Sequence, residues 1–164
     1  MITVAIVEDD AVVRRSLARL INESSGFRCL ETCASAEDAL KKLPEAKPQV
    51  VLMDVNLPQM SGIDCTRKLR QLLPDTHVLM HTVYEDSQYL FQALRAGACG
   101  YLLKRATPEQ VLAAIKDILD GGAPMSSEIA RKMVAAFHPP LPQPATEAEL
   151  TEREAGILAL LAKC

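Results

Sequence analysis

Short apolar runs alternate along the chain with longer segments in which apolar residues recur every three or four positions. The runs are rich in branched side chains and lack a polar face, which is typical of strands buried on both sides of a parallel sheet. Five runs predict strands, at Thr3–Val7, Phe27–Cys33, Val50–Met53, His77–Met80 with Thr82 just beyond, and Gly100–Leu103. A helical segment follows each run, so the pattern predicts an α/β fold, a doubly wound parallel sheet with helices on both faces.

Capping residues mark where two of the predicted helices begin. Thr107 precedes Pro108 and stands three residues before Gln110, and Ser35 stands three residues before Asp38. Both pairs fit the start of a helix, and they place the starts of the second and fifth helices. Periodicity places the first, third and fourth helices, at Ala11–Asn22, Ile63–Leu73 and Ser87–Ala96.

The pattern changes after the fifth helix. Residues 121–124 form a breaker cluster, Ser126–Phe137 has the period of a short helix, and residues 138–144 contain four prolines. Such a proline-rich segment favours a stiff, extended linker. We therefore predict a first domain at residues 1–121, a linker at residues 122–146 and a second domain beginning at residue 147.

The last segment predicts a helix that reaches the final residue of the sequence. Thr151 and Glu154 form a capping box, and apolar residues recur at helical spacing as far as Leu161. Because one helix cannot bury its own apolar stripe, we expect residues 147–164 to be the first helix of a truncated all-α domain. A second interpretation is a natural tail that packs against the first domain or against another copy.

The composition is that of a globular protein, with 49% hydrophobic and 24% charged residues among 164. A formal net charge of -3 argues against nucleic-acid binding by this segment itself, because neutralising phosphates requires a basic face. The five cysteines are scattered without metal-binding spacing, as expected for reduced thiols. The sequence shows no signal peptide and no apolar run of about 20 residues that would span a membrane. We expect a cytoplasmic protein.

Polar side chains follow the predicted strands at their carboxyl ends. The acids Glu8, Asp9 and Asp10 end the first strand, and Asp54, Thr82 and Lys104 come at the ends of the third, fourth and fifth. In a sheet of order 2-1-3-4-5 the first and third strands are neighbours at the topological switch point, where ligands bind. Topology therefore predicts that these side chains meet.

Carboxylates that converge in this way repel one another and resist joint ionisation unless a cation lies among them. Magnesium suits such a site, because it accepts carboxylate oxygens, a backbone carbonyl and water, and leaves positions for phosphate oxygens. Lys104 supplies a complementary charge for a phosphoryl group, and Thr82 supplies a hydroxyl donor. The set predicts a phosphate site with an acidic nucleophile, Asp54.

Each of these residues also has a structural interpretation when it is taken alone. Asp54 would be a solvated loop acid or a helix cap, and Asp9 and Asp10 would cap the first helix. Thr82 would be an ordinary strand residue, and Lys104 a solvated surface charge. Their joint placement at one end of one sheet favours a shared site.

Three segments resemble the signature blocks of response-regulator receiver domains, namely Val7–Asp10, Met53–Gly62 and Gly97–Lys104. The resemblance spans about residues 2–120 and implies a flavodoxin-like receiver fold. Leu150–Glu154 and the apolar helix after them are similar to the start of a LuxR-type helix-turn-helix domain. That second resemblance points to the NarL/FixJ subfamily.

The receiver resemblance implies a role for each matching residue. Asp54 would accept a phosphoryl group from a phosphohistidine of a sensor histidine kinase. Magnesium would be held by Asp9, Asp10, Asp54 and the backbone carbonyl of Asn56. Thr82 and Lys104 would bind the phosphoryl oxygens.

The resemblance also implies a conformational change on phosphorylation that involves Thr82 and Tyr101. A shift of Thr82 toward the phosphate would let Tyr101 turn inward and reshape the surface around the fourth helix and fifth strand. Apart from the resemblance, Tyr101 is interpreted as a half-buried strand aromatic with a solvated hydroxyl.

The resemblance also implies partners and an output. The protein would phosphorylate and dephosphorylate only itself, and would not act as an enzyme on an external substrate. We expect dimerisation upon phosphorylation, and DNA binding through the output domain of the full-length protein. The alternative is a receiver that acts by protein contact alone.

The fifth helix carries an apolar band that could serve dimerisation. It comprises Val111, Leu112, Ile115, Ile118 and Leu119. Two other interpretations are burial of this band in the receiver itself and a cover formed by the short helix near Met133.

Two residues depart from the usual receiver pattern. Val83 stands where the family generally has a small residue, and its branched side chain would crowd access to the phosphorylated aspartate. Arg105 follows Lys104 where proline or an acid is common, and would add positive charge near the site. We interpret both as tuning phosphorylation.

Two other classes of protein fit less well. A haloacid-dehalogenase-like phosphatase also uses an aspartate nucleophile with magnesium, but it requires a second acid where this chain has Asn56. A flavodoxin-like nucleotide binder would need a glycine-rich loop after the first strand, and the acidic run beginning at Glu8 is its electrostatic opposite.

Overall fold

A computed structural model describes residues 1–137, and the predicted linker after residue 137 and the predicted second domain lie outside these residues. Five strands form one parallel sheet, in the order β2-β1-β3-β4-β5. They are β1 (Ile2–Val7), β2 (Phe27–Cys33), β3 (Val50–Met53), β4 (His77–Thr82) and β5 (Gly100–Leu103). The predicted strand order and flavodoxin-like fold are confirmed.

A helix follows every strand, as predicted, and a sixth helix ends the described part. The helices are α1 (Ala11–Glu23), α2 (Ala36–Ala46), α3 (Gly62–Leu72), α4 (Ser87–Ala96), α5 (Pro108–Leu119) and α6 (Ser127–Phe137). Predicted and observed ends differ by one residue in several elements. Thr82 lies inside β4 and not beyond it, because pairing with Leu103 extends the strand to this residue.

The predicted helix caps are confirmed. The Ser35 side chain accepts a hydrogen bond from the backbone N–H of Asp38, and Thr107 forms a complete capping box with Gln110. Each cap satisfies N–H groups that have no partner within the helix, which is why the local sequence was enough to locate these two helix starts.

The sheet separates two apolar clusters. Successive residues of β3 alternate between them, so that Val51 and Met53 pack with α2, α3 and α4, while Val50 and Leu52 pack with α1 and α5. Ile115 and Ile118 of α5 are fully buried in the second cluster. Most of the apolar band of α5 therefore belongs to the receiver core, and the band is not a free dimerisation surface.

Helix α6 packs against the sheet and α4. Ile129 is fully buried in the same cluster as α4, and the ring of Phe137 lies edge-on to Phe91, with 5.7 Å between centroids. The chain leading into α6 extends the sheet locally, because the backbone N–H of Tyr101 donates to the carbonyl of Pro124. The interpretation that α6 covers the apolar band of α5 is wrong, since its apolar residues face the other cluster.

Among residues 1–137, no helix combines the length and apolar character that crossing a membrane requires.

Candidate functional site

Three carboxylates converge where β1 and β3 end. Val7 pairs with Met53, and the backbone N–H of Asp54 donates to the carbonyl of Val7, so Asp54 lies beside the loop that follows β1. One carboxylate oxygen each from Glu8, Asp9 and Asp54 lies within 4.8 Å of the others. Glu8 and Asp54 are buried, whereas Asp9 is exposed. We call these three residues the acidic cluster.

Asp10 lies beside this cluster, but its side chain caps a helix. Its Oδ1 accepts hydrogen bonds from the backbone N–H groups of Val12 (2.7 Å) and Val13 (3.1 Å), so it caps α1. These bonds also lower the pKa of Asp10. Within the described part of the chain, the group of convergent acids includes Glu8 and not Asp10. The role of Asp10 as a metal ligand stays a prediction without support from this geometry.

Lys104 joins two members of the cluster. Its Nζ lies 2.7 Å from Glu8 Oε2 and 2.8 Å from Asp54 Oδ2, and its side chain is only 18% exposed. Burial alone would lower the pKa of Lys104, but the hydrogen bonds to Asp54 and Glu8 outweigh burial and raise it. The ammonium group is therefore charged and placed directly on the carboxylate that was predicted to be the nucleophile.

Ionisation of the acidic cluster remains unfavourable even with Lys104 present. Burial raises the pKa of Glu8, and the charge of Asp54 raises it further. A divalent cation would make ionisation more favourable, and carboxylate oxygens within 4.8 Å of one another are the hard ligands that magnesium binds. The residues present thus fit the predicted ion.

The loop after β3 holds Asp54 through its backbone. The N–H of Asn56 donates to Asp54 Oδ1 at 3.3 Å, and the N–H of Gly62 donates to the carbonyl of Val55 at 2.9 Å. A Cβ at position 62 would overlap the carbonyl oxygen of Asp54, so only glycine fits here. Gln59 in the same loop adopts a left-handed φ of 65°.

The requirement for glycine at position 62 was not predicted from the sequence. The signal was present, since Gly62 closes the segment that begins at Met53 and stands at the first position of α3.

The predicted switch residues lie at the end of β4 and in β5. Thr82 is fully buried, and its Oγ1 accepts a long hydrogen bond, 3.4 Å, from the backbone N–H of Tyr84. Tyr101 is also fully buried, and its hydroxyl donates to the carbonyl of Tyr84 at 2.9 Å. Burial raises the pKa of Tyr101. Tyr101 is therefore already turned inward here, and the interpretation as a half-buried aromatic with a solvated hydroxyl is wrong.

The two departures from the receiver pattern have different surroundings. Val83 is 65% exposed directly after Thr82, and its effect on access to Asp54 stays a prediction. Arg105 forms ion pairs with Glu85, at 3.0 Å, and with Glu128 of α6. Its charge is thus engaged with two acids and ties α6 to the loop before α4. The expectation that Arg105 adds positive charge near the site stays a prediction.

His81 was missed by sequence reasoning because it reads as one more residue of a buried strand. It is 5% exposed, and its Nδ1 has no hydrogen-bond partner among the described residues. Burial, and secondarily the positive charge of Lys104, lower its pKa to about 4. A neutral imidazole therefore lies next to the charged residues of the site.

Comparison with known proteins assigns the chain and its fold to a family. Residues 4–116 match the model of the response regulator receiver domain. The response regulator GacA of Pseudomonas aeruginosa is 34% identical over 164 residues, which is 100% of this chain and 77% of that protein. The response regulator UvrY of Escherichia coli is 32% identical over 163 residues, covering 99% of this chain and 75% of that protein.

Solved structures agree with the sequence relatives. A two-component response regulator of the LuxR family from Aurantimonas is 33% identical with a TM-score of 0.78, covering 82% of this chain and 96% of that chain. A CheY-like receiver domain protein from Methanospirillum hungatei is 28% identical with a TM-score of 0.69, covering 74% and 95%. The resemblance inferred from the sequence is confirmed. This chain belongs to the two-component response regulators of the NarL/FixJ type, and its five-stranded domain is a receiver domain.

Proposed function

We propose that Asp54 accepts a phosphoryl group from the phosphohistidine of a sensor histidine kinase. The observation that carries this proposal is the contact between Lys104 Nζ and Asp54 Oδ2, 2.8 Å, inside the acidic cluster. An ammonium group in this position can neutralise phosphoryl oxygens as soon as they reach the aspartate. The family membership of the chain supports the same reaction.

Asp54 acts as the nucleophile in this reaction. One of its carboxylate oxygens forms a bond to phosphorus while the phosphorus–nitrogen bond of the donor breaks, and the leaving imidazole takes up a proton from solvent. An acyl phosphate results. Lys104 transfers its hydrogen bonds from the carboxylates to the phosphoryl oxygens, and the Thr82 hydroxyl donates a further one.

Glu8, Asp9 and Asp54 would hold the magnesium ion, with the backbone carbonyl of Asn56 as the further ligand that the family implies. The ion supplies neutralisation of charge on the phosphoryl oxygens. Glu8 replaces Asp10 in this set because the Asp10 carboxylate caps α1. The residues of this chain keep the ligand oxygens together.

The change produced by phosphorylation would begin at Thr82. Its Oγ1 now accepts the N–H of Tyr84, and the Tyr84 carbonyl accepts the hydroxyl of Tyr101. A move of Thr82 toward the phosphoryl group would strain the longer of these bonds and shift the loop that joins β4 to α4. The consequence of the reaction is therefore a change of conformation, and the protein acts as an enzyme only on itself.

We further propose that this conformation controls a DNA-binding output of the full-length protein, in the cytoplasm, through a phosphorylation-dependent homodimer. The likeness to the LuxR-family response regulator from Aurantimonas supports that output. The formal charge of -3 argues against DNA contact by this segment itself. Output by protein contact alone is the alternative, and DNA binding by the phosphorylated full-length protein would decide against it.

Intact-mass measurement after incubation with magnesium and acetyl phosphate tests the proposal. The wild type should gain the mass of one phosphoryl group, and Asp54→Asn should gain none. Asp75→Asn is the matched control, because Asp75 is an exposed aspartate before the opposite end of β4. Equal uptake by the wild type and Asp54→Asn would refute the assignment of Asp54.

A further inference from the structure

The three residues between β1 and α1 carry two of the three acids of the acidic cluster, and Arg14 holds their backbone. Arg14 Nη1 donates to the carbonyl oxygen of Glu8 at 2.6 Å and to that of Asp9 at 3.0 Å. Arg14 belongs to the first turns of α1, and its own N–H donates to the carbonyl of Asp10. The guanidinium therefore spans the loop from the side of the helix.

Other contacts hold the two ends of this loop and the carboxylates within it. The N–H of Glu8 donates to the carbonyl of Cys33 at 3.0 Å, which continues the sheet, and the side chain of Asp10 caps α1. Between these points, the N–H of Asp10 donates to Glu8 Oε1 at 3.2 Å and to Asp9 Oδ1 at 3.0 Å. The position of the carboxylates therefore depends on how the Glu8 and Asp9 peptides of this loop are oriented. Both peptides are bound by the same nitrogen of Arg14.

The acidic cluster needs such a constraint, because its carboxylates repel one another. Rotation of the loop peptides would let the exposed Asp9 move away from Glu8 and Asp54 and relieve that repulsion. Two hydrogen bonds from a charged donor oppose the rotation.

We propose that Arg14 is a positioning residue for the divalent cation, fixing the carbonyls of Glu8 and Asp9 so that their carboxylates converge with Asp54. This inference rests on the proposed metal site. Arg14 contacts neither the ion nor the phosphoryl group, and it acts through the peptides that carry the ligands.

A purely electrostatic role for Arg14 predicts the opposite result. Removing a positive charge next to a cation site strengthens cation binding. Removing a group that orients ligands weakens it, typically about tenfold or more. The sign of the change in affinity therefore separates the two roles.

Binding of Mn²⁺, measured by the loss of the free-ion signal in electron paramagnetic resonance, reads the site directly and without phosphorylation. Arg14→Met should bind Mn²⁺ about tenfold more weakly than the wild type. Arg14→Lys, which keeps the charge and a donor, should recover part of the affinity. Arg15→Met is the matched control, since Arg15 is the exposed neighbour on α1 and carries the same charge. Its affinity should stay equal or rise slightly.

Two further measurements keep the outcomes distinct. Thermal unfolding of each variant shows whether it is folded at the temperature of the titration. If Arg14→Met is unfolded at that temperature, the Mn²⁺ affinity of Arg14→Lys is compared with that of the wild type instead. Asp9→Asn locates the ion: unchanged Mn²⁺ affinity in this variant would overturn the proposed metal site itself. Weaker binding by Asp9→Asn together with equal or tighter binding by Arg14→Met would overturn only the role of Arg14.

Discussion

Replacing His81 by leucine should remove a specific loss of stability in acid. The imidazole is 5% exposed, and its Nδ1 lacks a partner among the described residues. Burial and the charge of Lys104 lower its pKa to about 4 in the folded protein, from 6.5 in an ordinary environment. Protonation therefore favours the unfolded chain, and the wild type loses stability as the pH falls below about 6.5.

The two pKa values give the size of this effect. Between them each pH unit costs about 1.4 kcal/mol, and the loss levels off below the folded value near pH 4. The wild type should therefore lose about 3 kcal/mol relative to His81→Leu as the pH falls from neutral to about 4. At neutral pH the two proteins should differ little, because leucine removes an unsatisfied buried nitrogen and fills the buried site with an apolar side chain.

Urea unfolding of both proteins at a series of pH values measures the effect. The difference in unfolding free energy between variant and wild type is the informative quantity, since every carboxylate contributes equally to both proteins. Parallel pH profiles would refute the reasoning, because they would mean that the imidazole is as easily protonated in the folded protein as in the unfolded chain.

Three further predictions follow from backbone and ion-pair geometry. Gly62→Ala should lower the unfolding free energy by about 1–3 kcal/mol and reduce acetyl-phosphate uptake, because the added Cβ displaces the Asp54 carbonyl; unchanged uptake would contradict this. Gln59→Gly should raise the midpoint of urea unfolding, with a gain of about 0.5–1 kcal/mol, because glycine tolerates the φ of 65°. A lower midpoint would show that the Gln59 side chain stabilises the loop. Glu85→Gln should speed amide exchange in α6 and leave α2 unchanged, because Glu85 pairs with Arg105 and Lys132; exchange in α6 equal to that of the wild type would mean that the ion pairs of the Glu85 carboxylate do not help to hold this helix.

The sequence predicted the receiver fold because its signals are local. Strands such as Val50–Met53 are apolar on both faces, and helix starts such as Thr107 satisfy their own N–H groups. The rule that parallel strands present their carboxyl ends at one edge then placed Asp54 and Lys104 together across 50 residues of sequence.

Only the structure shows which of the acids after β1 belong to the acidic cluster. Glu8, Asp9 and Asp10 are consecutive acids, and which of them face Asp54 depends on where β1 ends and α1 begins. Asp10 falls on the capping position of α1, which directs its carboxylate to the helix N–H groups and leaves Glu8 to pair with Lys104. An error of one residue in that boundary exchanges their roles.

The sequence by itself determined the order of strands and helices, the family and the residue that we propose as phosphoacceptor, because periodicity, caps and signature segments are properties of neighbouring residues. Only the tertiary structure decided the surroundings of His81, the pairing of Arg105 with Glu128 of α6, and the burial of Tyr101. Each of these depends on side chains from elements distant in sequence. Desolvation and charge pairing arise from such packing, which no local pattern records.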